Sequence, residues 1–479
     1  MSPSPTPAHG SARRRTAKSR RLPRPSRKTE AAETDPSARL RQELSGKDPL
    51  AARRAALRLG HLRDPRARSA LESALTRPDV GLRVGAASAL GSIADARSRR
   101  PLERALADPD WRVRAQAAYG LSRLHDLRST EAVARTLDGD ESALVRNACA
   151  LALGRIGDPR AIPSLHRALH DPSDRVRREA IIALERSHDP EAALRVRGFL
   201  DDPARRVRIA ATLVLGLRRD REAVRPLLAL LDRAHTFEKP ALLVALGRIG
   251  SPECGEALAR SADDEARWVR VCAIHGLTEM RSPFARPVAR AKLSDPSWAV
   301  RGAAALALGR VGEVSDAPLL VGLLRDSSAW VRRGAVYALG YLDARPALPQ
   351  IRDSLGDPDP EVRLASIWAL GHLGDRDSAQ RLVRLLETTR PQATHGSTVL
   401  MQGDGAVRLV SDADSRVFDA LVEAVTALAA GDADGPERRA LTRVRRTLPD
   451  GELDRPVRLP SPFGASTDRR TLRSLFGTT

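Results

Sequence analysis

Aromatic side chains are scarce in this chain of 479 residues, which holds five Trp, three Tyr and six Phe. A core built on large rings is excluded at that content. Packing falls instead to Ala and Leu, which let helices approach closely. Cysteine is rarer still, and Cys149, Cys254 and Cys272 have no paired spacing. That argues against a disulfide framework or a zinc site and suits a reducing compartment, so a cytoplasmic location is expected. No apolar run approaches 18 residues, the length a membrane-spanning helix needs. The basic N-terminus has no apolar stretch behind it. Ser19-Arg20-Arg21-Leu22 looks like a twin-Arg signal, but Pro23 and Pro25 stand where the apolar region would have to be. Lysine is nearly absent, with five against 75 arginines in a chain of net charge +20. Residues 1–28 hold nine of these cations and no acid, which leaves +11 over the other 451 residues. The chain therefore reads as a basic tail on an Arg-rich scaffold, with polyanion binding as the sharper alternative.

What is present is a repeat. Arg83, Arg114, Arg146, Arg177, Arg208, Lys239, Arg270, Arg301, Arg332 and Arg363 follow one another at 31 residues in eight intervals and 32 in one. Val precedes the cation in eight of these ten units, and Leu82 or Glu238 in the others. A Leu-Gly pair follows at Leu90-Gly91, Leu153-Gly154, Leu246-Gly247, Leu308-Gly309, Leu339-Gly340 and Leu370-Gly371, and the phase reaches back to Leu59-Gly60, giving eleven units. A strict period of this length predicts stacked helical hairpins. The expected fold is all-α, an α-α superhelix (solenoid) of about eleven 31-residue hairpins over residues 37–388, on the order of 100 Å long at about 8–10 Å per helix layer.

Each unit has a shorter first helix and a second helix, as in residues 159–169 and 176–184, with apolar residues at three- and four-residue spacing. Between them an Asp stands six residues before the repeat Arg at Asp108, Asp140, Asp171, Asp202, Asp264, Asp295, Asp326 and Asp357. Pro follows at Pro109, Pro172, Pro203, Pro296 and Pro358. Asp suits an N-cap and Pro the first helical position, so the pair is expected to start the second helix. The repeat Arg then reaches acids or carbonyls of neighbouring units. That predicts a structural ladder involving Asp108, Arg114, Arg146, Asp171, Arg177, Arg208, Arg270, Asp295, Arg301, Arg332, Asp357 and Arg363. The seventh unit departs from the pattern, with Glu238-Lys239 in place of Val-Arg and Pro240 expected to shorten its helix. It is either drift or a specialised joint.

Outside the array, residues 1–36 are expected to be a disordered basic tail. Residues 389–430 should hold a loop, a β-hairpin near 398–410 around Gly403-Asp404-Gly405, and a capping helix over 416–430. Residues 431–479 read as a charged flexible tail.

The signature Asp-Pro-x-x-x-Val-Arg-x-x-Ala-x-x-Ala-Leu-Gly-x-Ile-Gly-Asp, clearest at 357–375, 295–313 and 140–158, resembles the short HEAT-like repeats of the phycobilisome-lyase type. That resemblance covers roughly 350 residues and implies a right-handed superhelix whose second helices line the concave face. It is specific for fold and weak for activity. Iron-dependent hydroxylases built on such repeats use His-Glu pairs as metal ligands, and this chain has no His-Glu dipeptide. No phosphate loop or Gly-x-Ser-x-Gly elbow is present either. His166 and His170 share a helix, but beside buried Leu165 and Leu169 they should face solvent. Glu179 and Glu279 are the one obvious pair of groove-facing acids, without an evident partner.

Positions two before, and one, two and five after, the repeat Arg should project from the concave face. Aromatic residues collect there or nearby: Tyr119, Phe237, Trp268, His275, Trp330, Tyr337 and Trp368, with Tyr341 and His372 a turn further on and Trp111 and Trp298 at the edge. Earlier units place Arg112, Arg123, Arg155, Arg175, Arg178, Arg186, Arg206 and Arg248 on the same face. Rigid aromatic rings dominate interface hot spots. The expected function is a non-enzymatic scaffold or adaptor that needs no cofactor and takes a protein or extended peptide on its concave face. Nucleic-acid binding through the tail and groove is one alternative. A lyase-like or other enzyme-associated role, implied by the resemblance alone, is the other.

Overall fold

The computed structural model describes residues 37–388, three short strands beyond them, and Ala424. The expectations for residues 1–36, for the Gly403-Asp404-Gly405 turn and for 431–479 lie outside the described residues, as does the capping helix except at Ala424. The chain forms two compact units, one ending at His170 and one beginning at Asp171.

The first unit holds four complete hairpins, with second helices Pro49–Leu62, Val80–Ile93, Trp111–Leu124 and Ala143–Ile156, and the first helix of a fifth, Ile162–Ala168. The second unit runs from the fifth second helix, Asp174–Arg186, through second helices Arg205–Leu217, Lys239–Ile249, Arg267–Glu279, Trp298–Val311, Ala329–Tyr341 and Pro360–His372, to a further helix, Ala379–Thr388. Most hairpins add a 3-10 turn ahead of the first helix, as at Pro65–Ala67 and Pro159–Ala161. Ala, Leu and Val facing inward from both helices make the core, with Leu59, Leu82, Leu90, Leu121, Leu184 and Leu215 fully buried. Small residues set the stacking distance between successive second helices. A Cβ on Gly247 would lie 2.4 Å from the Cα of Gly276 in the next repeat, closer than any side chain permits.

The period-31 cations form the ladder, with corrected geometry at its acidic side. In the first unit Arg83 grips Asp108 of the next repeat at 2.8 and 3.1 Å, and Arg114 grips Asp140 at 2.7 and 3.0 Å. In the second unit Arg177 does so with Asp202, Arg270 with Asp295, and Arg332 with Asp357, all within 2.9 Å. The same arginines turn Nη1 to carbonyls of their own interhelical turn, as do Arg146 on Asp140 and Arg363 on Asp357. The repeat Asp is not the N-cap that the sequence suggested. Its carboxylate accepts the N–H two residues on, as Asp171 does from Ser173 and Asp295 from Ser297, and the cap is the residue at that next position: Asp110, Ser142, Ser173 or Ser297. The following Pro accordingly lies in the turn, ahead of the helix. The reason is that the carboxylate serves the preceding repeat's guanidinium and its own turn at once, so the helix starts two residues further on, even where that position holds Ala204 or Ala266 and no side chain can cap.

The irregular seventh repeat keeps its rung. Arg208 bonds buried Glu238 at 2.9 Å, and Lys239 bonds Asp264 at 2.7 Å. Glu238 thus supplies, from the start of the helix, the acid that the missing Asp would have supplied from the turn. As Pro240 suggested, this second helix is short, with 11 residues against 13 or 14 in the regular repeats.

Past Thr388 the expected hairpin is present and gains a strand. β1 (Arg390–Thr394), β2 (Ser397–Met401) and β3 (Val407–Leu409) make an antiparallel sheet in that order, with Met401 opposite Val407. Ala424 is helical and buried, and its Cα lies 2.7 Å from where a Cβ on Gly371 would stand.

Candidate functional site

In the second unit the second helices carry Trp268, Trp298, Trp330, Tyr341 and Trp368 at the surface or half-buried. Trp298 and Trp330 lie edge-to-face with ring centroids 6.5 Å apart, both exposed. Trp330 leans onto the preceding helix, where a Cβ on Gly302 would lie 2.4 Å from its Cδ1. The absence of a side chain at Gly302 is what lets the indole lie down. The Arg333 guanidinium stands 4.4 Å from the Trp330 ring and bonds Glu361 at 3.2 Å. Exposed Trp268 carries Arg267 at 5.0 Å in the same manner.

A second cluster lies toward the ends of the last two second helices. Half-buried Trp368 stacks on His372 at 5.1 Å and meets Tyr341 at 4.9 Å and Tyr337 at 5.2 Å. It too rests over a glycine, Gly340. Tyr337 is a correction to the sequence reading. It is 6% exposed, packed behind Trp368, so it supports that ring and offers no surface of its own. Tyr119, in the first unit, and His275 are half-buried. Phe237, 75% exposed, lies outside both clusters with the Arg205 guanidinium 5.7 Å away.

Of the arginines that the sequence assigned to the groove, Arg112, Arg123 and Arg155 in the first unit and Arg175, Arg178 and Arg206 in the second are exposed. Several are already engaged. Arg112 bonds Asp110 at 2.7 Å and holds that carboxyl down at about 2, and Arg206 bonds Asp174 at 3.1 Å. Arg123 turns to Ser92, and Arg178 lies 3.8 Å from Glu179. Such pairing lowers the charge this face offers a polyanion. Burial depresses Arg248 below its usual value. Glu279 is bonded by Arg310 at 2.9 Å. The thiols are buried, and burial pushes Cys254 up to about 11 and Cys272 to about 12, away from nucleophilic use. No group of three His, Cys, Asp or Glu side chains among the described residues is placed to hold a metal ion. No helix among them is long and apolar enough to cross a membrane.

Sequence reasoning missed a second ladder on the first helices. Arg41 bonds Asp64 at 2.6 Å, and Arg68 and Arg99 reach Asp95 and Asp126 at 3.4 and 3.5 Å in the first unit. Arg197 with Asp220, Arg286 with Asp316 and Arg352 with Asp375 repeat it in the second. The signal was the Asp that closes the repeat signature, as at Asp64 and Asp375, each with a cation 23 residues before it; Asp316 lies three residues past Glu313, which closes the signature in its repeat.

The comparisons agree with this architecture. Among solved structures the chain is similar to yeast importin-beta, at 12% identity and a TM-score of 0.53, covering 82% of this chain and 61% of that one. It therefore spans about three-fifths of the importin's length, and at that identity the likeness concerns fold alone. The CpcE–CpcF complex of phycocyanin lyase from Nostoc is 25% identical over 52% of this chain and 90% of that one, with a TM-score of 0.32. Human deoxyhypusine hydroxylase is 27% identical over 53% and 98%, with a TM-score of 0.26. The comparison with curated proteins gives no match. Seven overlapping matches to the model of HEAT repeats run from residue 37 to residue 398, and the chain belongs to the HEAT-repeat family.

Proposed function

We propose that this chain is a cytoplasmic, non-enzymatic scaffold whose second-helix face between Arg267 and His372 takes a protein partner or extended peptide. The observation that carries the reading is the seating of Trp330. An exposed indole lies over Gly302, braced by Trp298 and Arg333. A ring held in place before binding loses little entropy when a partner covers it. Trp268 and the Trp368–Tyr341–His372 cluster extend the strip. The repeat signature supports the finer assignment to the short phycobilisome-lyase type, without adding a lyase activity.

Pull-down with the full chain tests this reading. Trp268→Ala, Trp330→Ala and Trp368→Ala should each weaken a captured protein by roughly 1–4 kcal/mol. Capture should persist at high salt. A captured nucleic acid released steeply by salt, with no response to these variants, would favour the polyanion reading instead.

A further inference from the structure

The first unit carries 24 Lys and Arg against 15 Asp and Glu over residues 37–170, whereas residues 171–388 hold 34 against 30. Part of that excess is arranged. Each 3-10 turn ahead of a first helix begins Asp-x-Arg at Asp64-Arg66, Asp95-Arg97, Asp126-Arg128 and Asp158-Arg160, so one arginine recurs in every repeat. What the turn requires at this position is a backbone N–H, donated to the Asp carboxylate at 2.9–3.0 Å. The side chain is not part of that requirement. In the second unit Glu191 and Glu222 make the same backbone bond at 3.0 and 3.2 Å. Four arginines in succession are therefore a choice of charge that the fold does not impose.

These side chains are 62–72% exposed although each touches its own Asp. The Asp carboxylates lie deeper and are shared with Arg41, Arg68 and Arg99 from the first helices, or with Thr130 in the case of Asp158. The nearby glutamates are committed elsewhere, Glu72 to Arg68 and Glu103 to Arg99, while exposed Glu131 lies 3.8 Å from Arg135. Adjacent turns touch, since Arg160 Nη2 donates to the Leu127 carbonyl at 2.9 Å. Leu127, exposed beside Arg128, adds an apolar contact.

We infer that Arg66, Arg97, Arg128 and Arg160 form a single file that binds an extended acidic protein segment bearing a carboxylate at about every third residue. Successive helix layers lie about 10 Å apart, and three residues of extended chain span about 10 Å at ~3.3 Å each. The Nε and Nη2 edge of Arg97, Arg128 and Arg160 bonds its own Asp, so a ligand carboxylate is met from the outer, Nη1 side of each exposed guanidinium. Duplex nucleic acid carries one charge per about 1.7 Å of its axis, a density that a file of four widely spaced cations does not match.

Fluorescence anisotropy on the full chain tests the inference with three probes: a synthetic peptide with four Glu at every third residue, a peptide of the same composition with the four Glu contiguous, and a short oligonucleotide. The spaced peptide should bind tightest. Changing all four arginines to Gln should weaken it at least tenfold, with the circular-dichroism melt unchanged, while Trp330→Ala leaves it alone and so separates this site from the aromatic strip. The charge-reversed variant, Arg66→Glu, Arg97→Glu, Arg128→Glu and Arg160→Glu, should prefer a peptide with Lys at every third residue. The inference is overturned if the four-fold Gln variant binds the spaced peptide as the native chain does, since the basic tail would then account for binding. It is equally overturned if the oligonucleotide outcompetes the spaced peptide, or if the charge-reversed variant folds without switching preference.

Discussion

Arg301 reaches Asp326 of the next repeat through two near-parallel bonds of 2.7 and 2.9 Å, while its Nη1 donates to the carbonyls of Asp295 and Pro296. One side chain thus ties two interhelical turns together in a largely shielded place. Arg301→Ala should cost about 3 kcal/mol, because the Asp326 carboxylate is left without its cation and two carbonyls lose a donor. Arg301→Lys should recover part of this, lacking the fork. The double variant with Asp326→Asn should be less destabilised than the sum of the singles. Urea unfolding of the four proteins measures all three expectations.

The ladder also sets a pH dependence. The hydrogen bond from Arg301 holds the Asp326 carboxyl below its usual value, and the one from Arg53 holds Asp79 at about 2. A carboxyl whose folded value is depressed contributes stability that is complete above the ordinary carboxylate value, ~3.9, and is lost as pH falls through the folded value. The array should therefore lose stability progressively between about pH 4 and pH 2, with little change between pH 6 and pH 8. In Arg53→Gln the acid limb should be shallower. Thermal melts by circular dichroism across that range give the result, and a steeper limb in the variant would contradict it.

Gly302→Ala should displace an indole. The added Cβ would fall 2.4 Å from Cδ1 and 2.5 Å from Nε1 of Trp330, so the ring must lift away from the helix. Tryptophan emission should shift to longer wavelength and partner binding should fall, while the melting temperature changes little, because the ring is exposed. Gly322→Ala, which adds a Cβ in open space, serves as the silent control.

Ala94 ends its second helix in the left-handed region at φ 57°. Gly157 and Gly250 hold that position in other repeats. A Cβ there costs about 1 kcal/mol relative to glycine, so Ala94→Gly should stabilise the chain by up to that amount, and Gly250→Ala should destabilise it similarly. Paired chemical-denaturation curves decide the sign.

The 31-residue recurrence of Arg determined the hairpins, their order and the existence of a ladder, because each cation must meet its partner once per repeat. Sequence also placed Trp268 and Trp330 at the starts of second helices, since a position two before the repeat Arg cannot face the core. The tertiary structure decided what the one-dimensional period cannot encode. The Asp carboxylate has two claimants, its own turn and the preceding repeat's guanidinium, and satisfying both moved the N-cap two residues on. Glu238 could replace a missing Asp because the preceding repeat's Arg208 comes within its reach in space although Glu238 stands at a different place in the repeat. Tyr337 and Tyr341 lie one turn apart on the same helix, yet one is covered and one exposed. Trp368 arrives from the following repeat, lies over Gly340 and packs against both rings, completing the cover of Tyr337 while Tyr341 keeps a face at the surface. Burial on a stacked face depends on the neighbouring helix as much as on the residue's own, and that neighbour is set by packing distance, which only the folded array fixes.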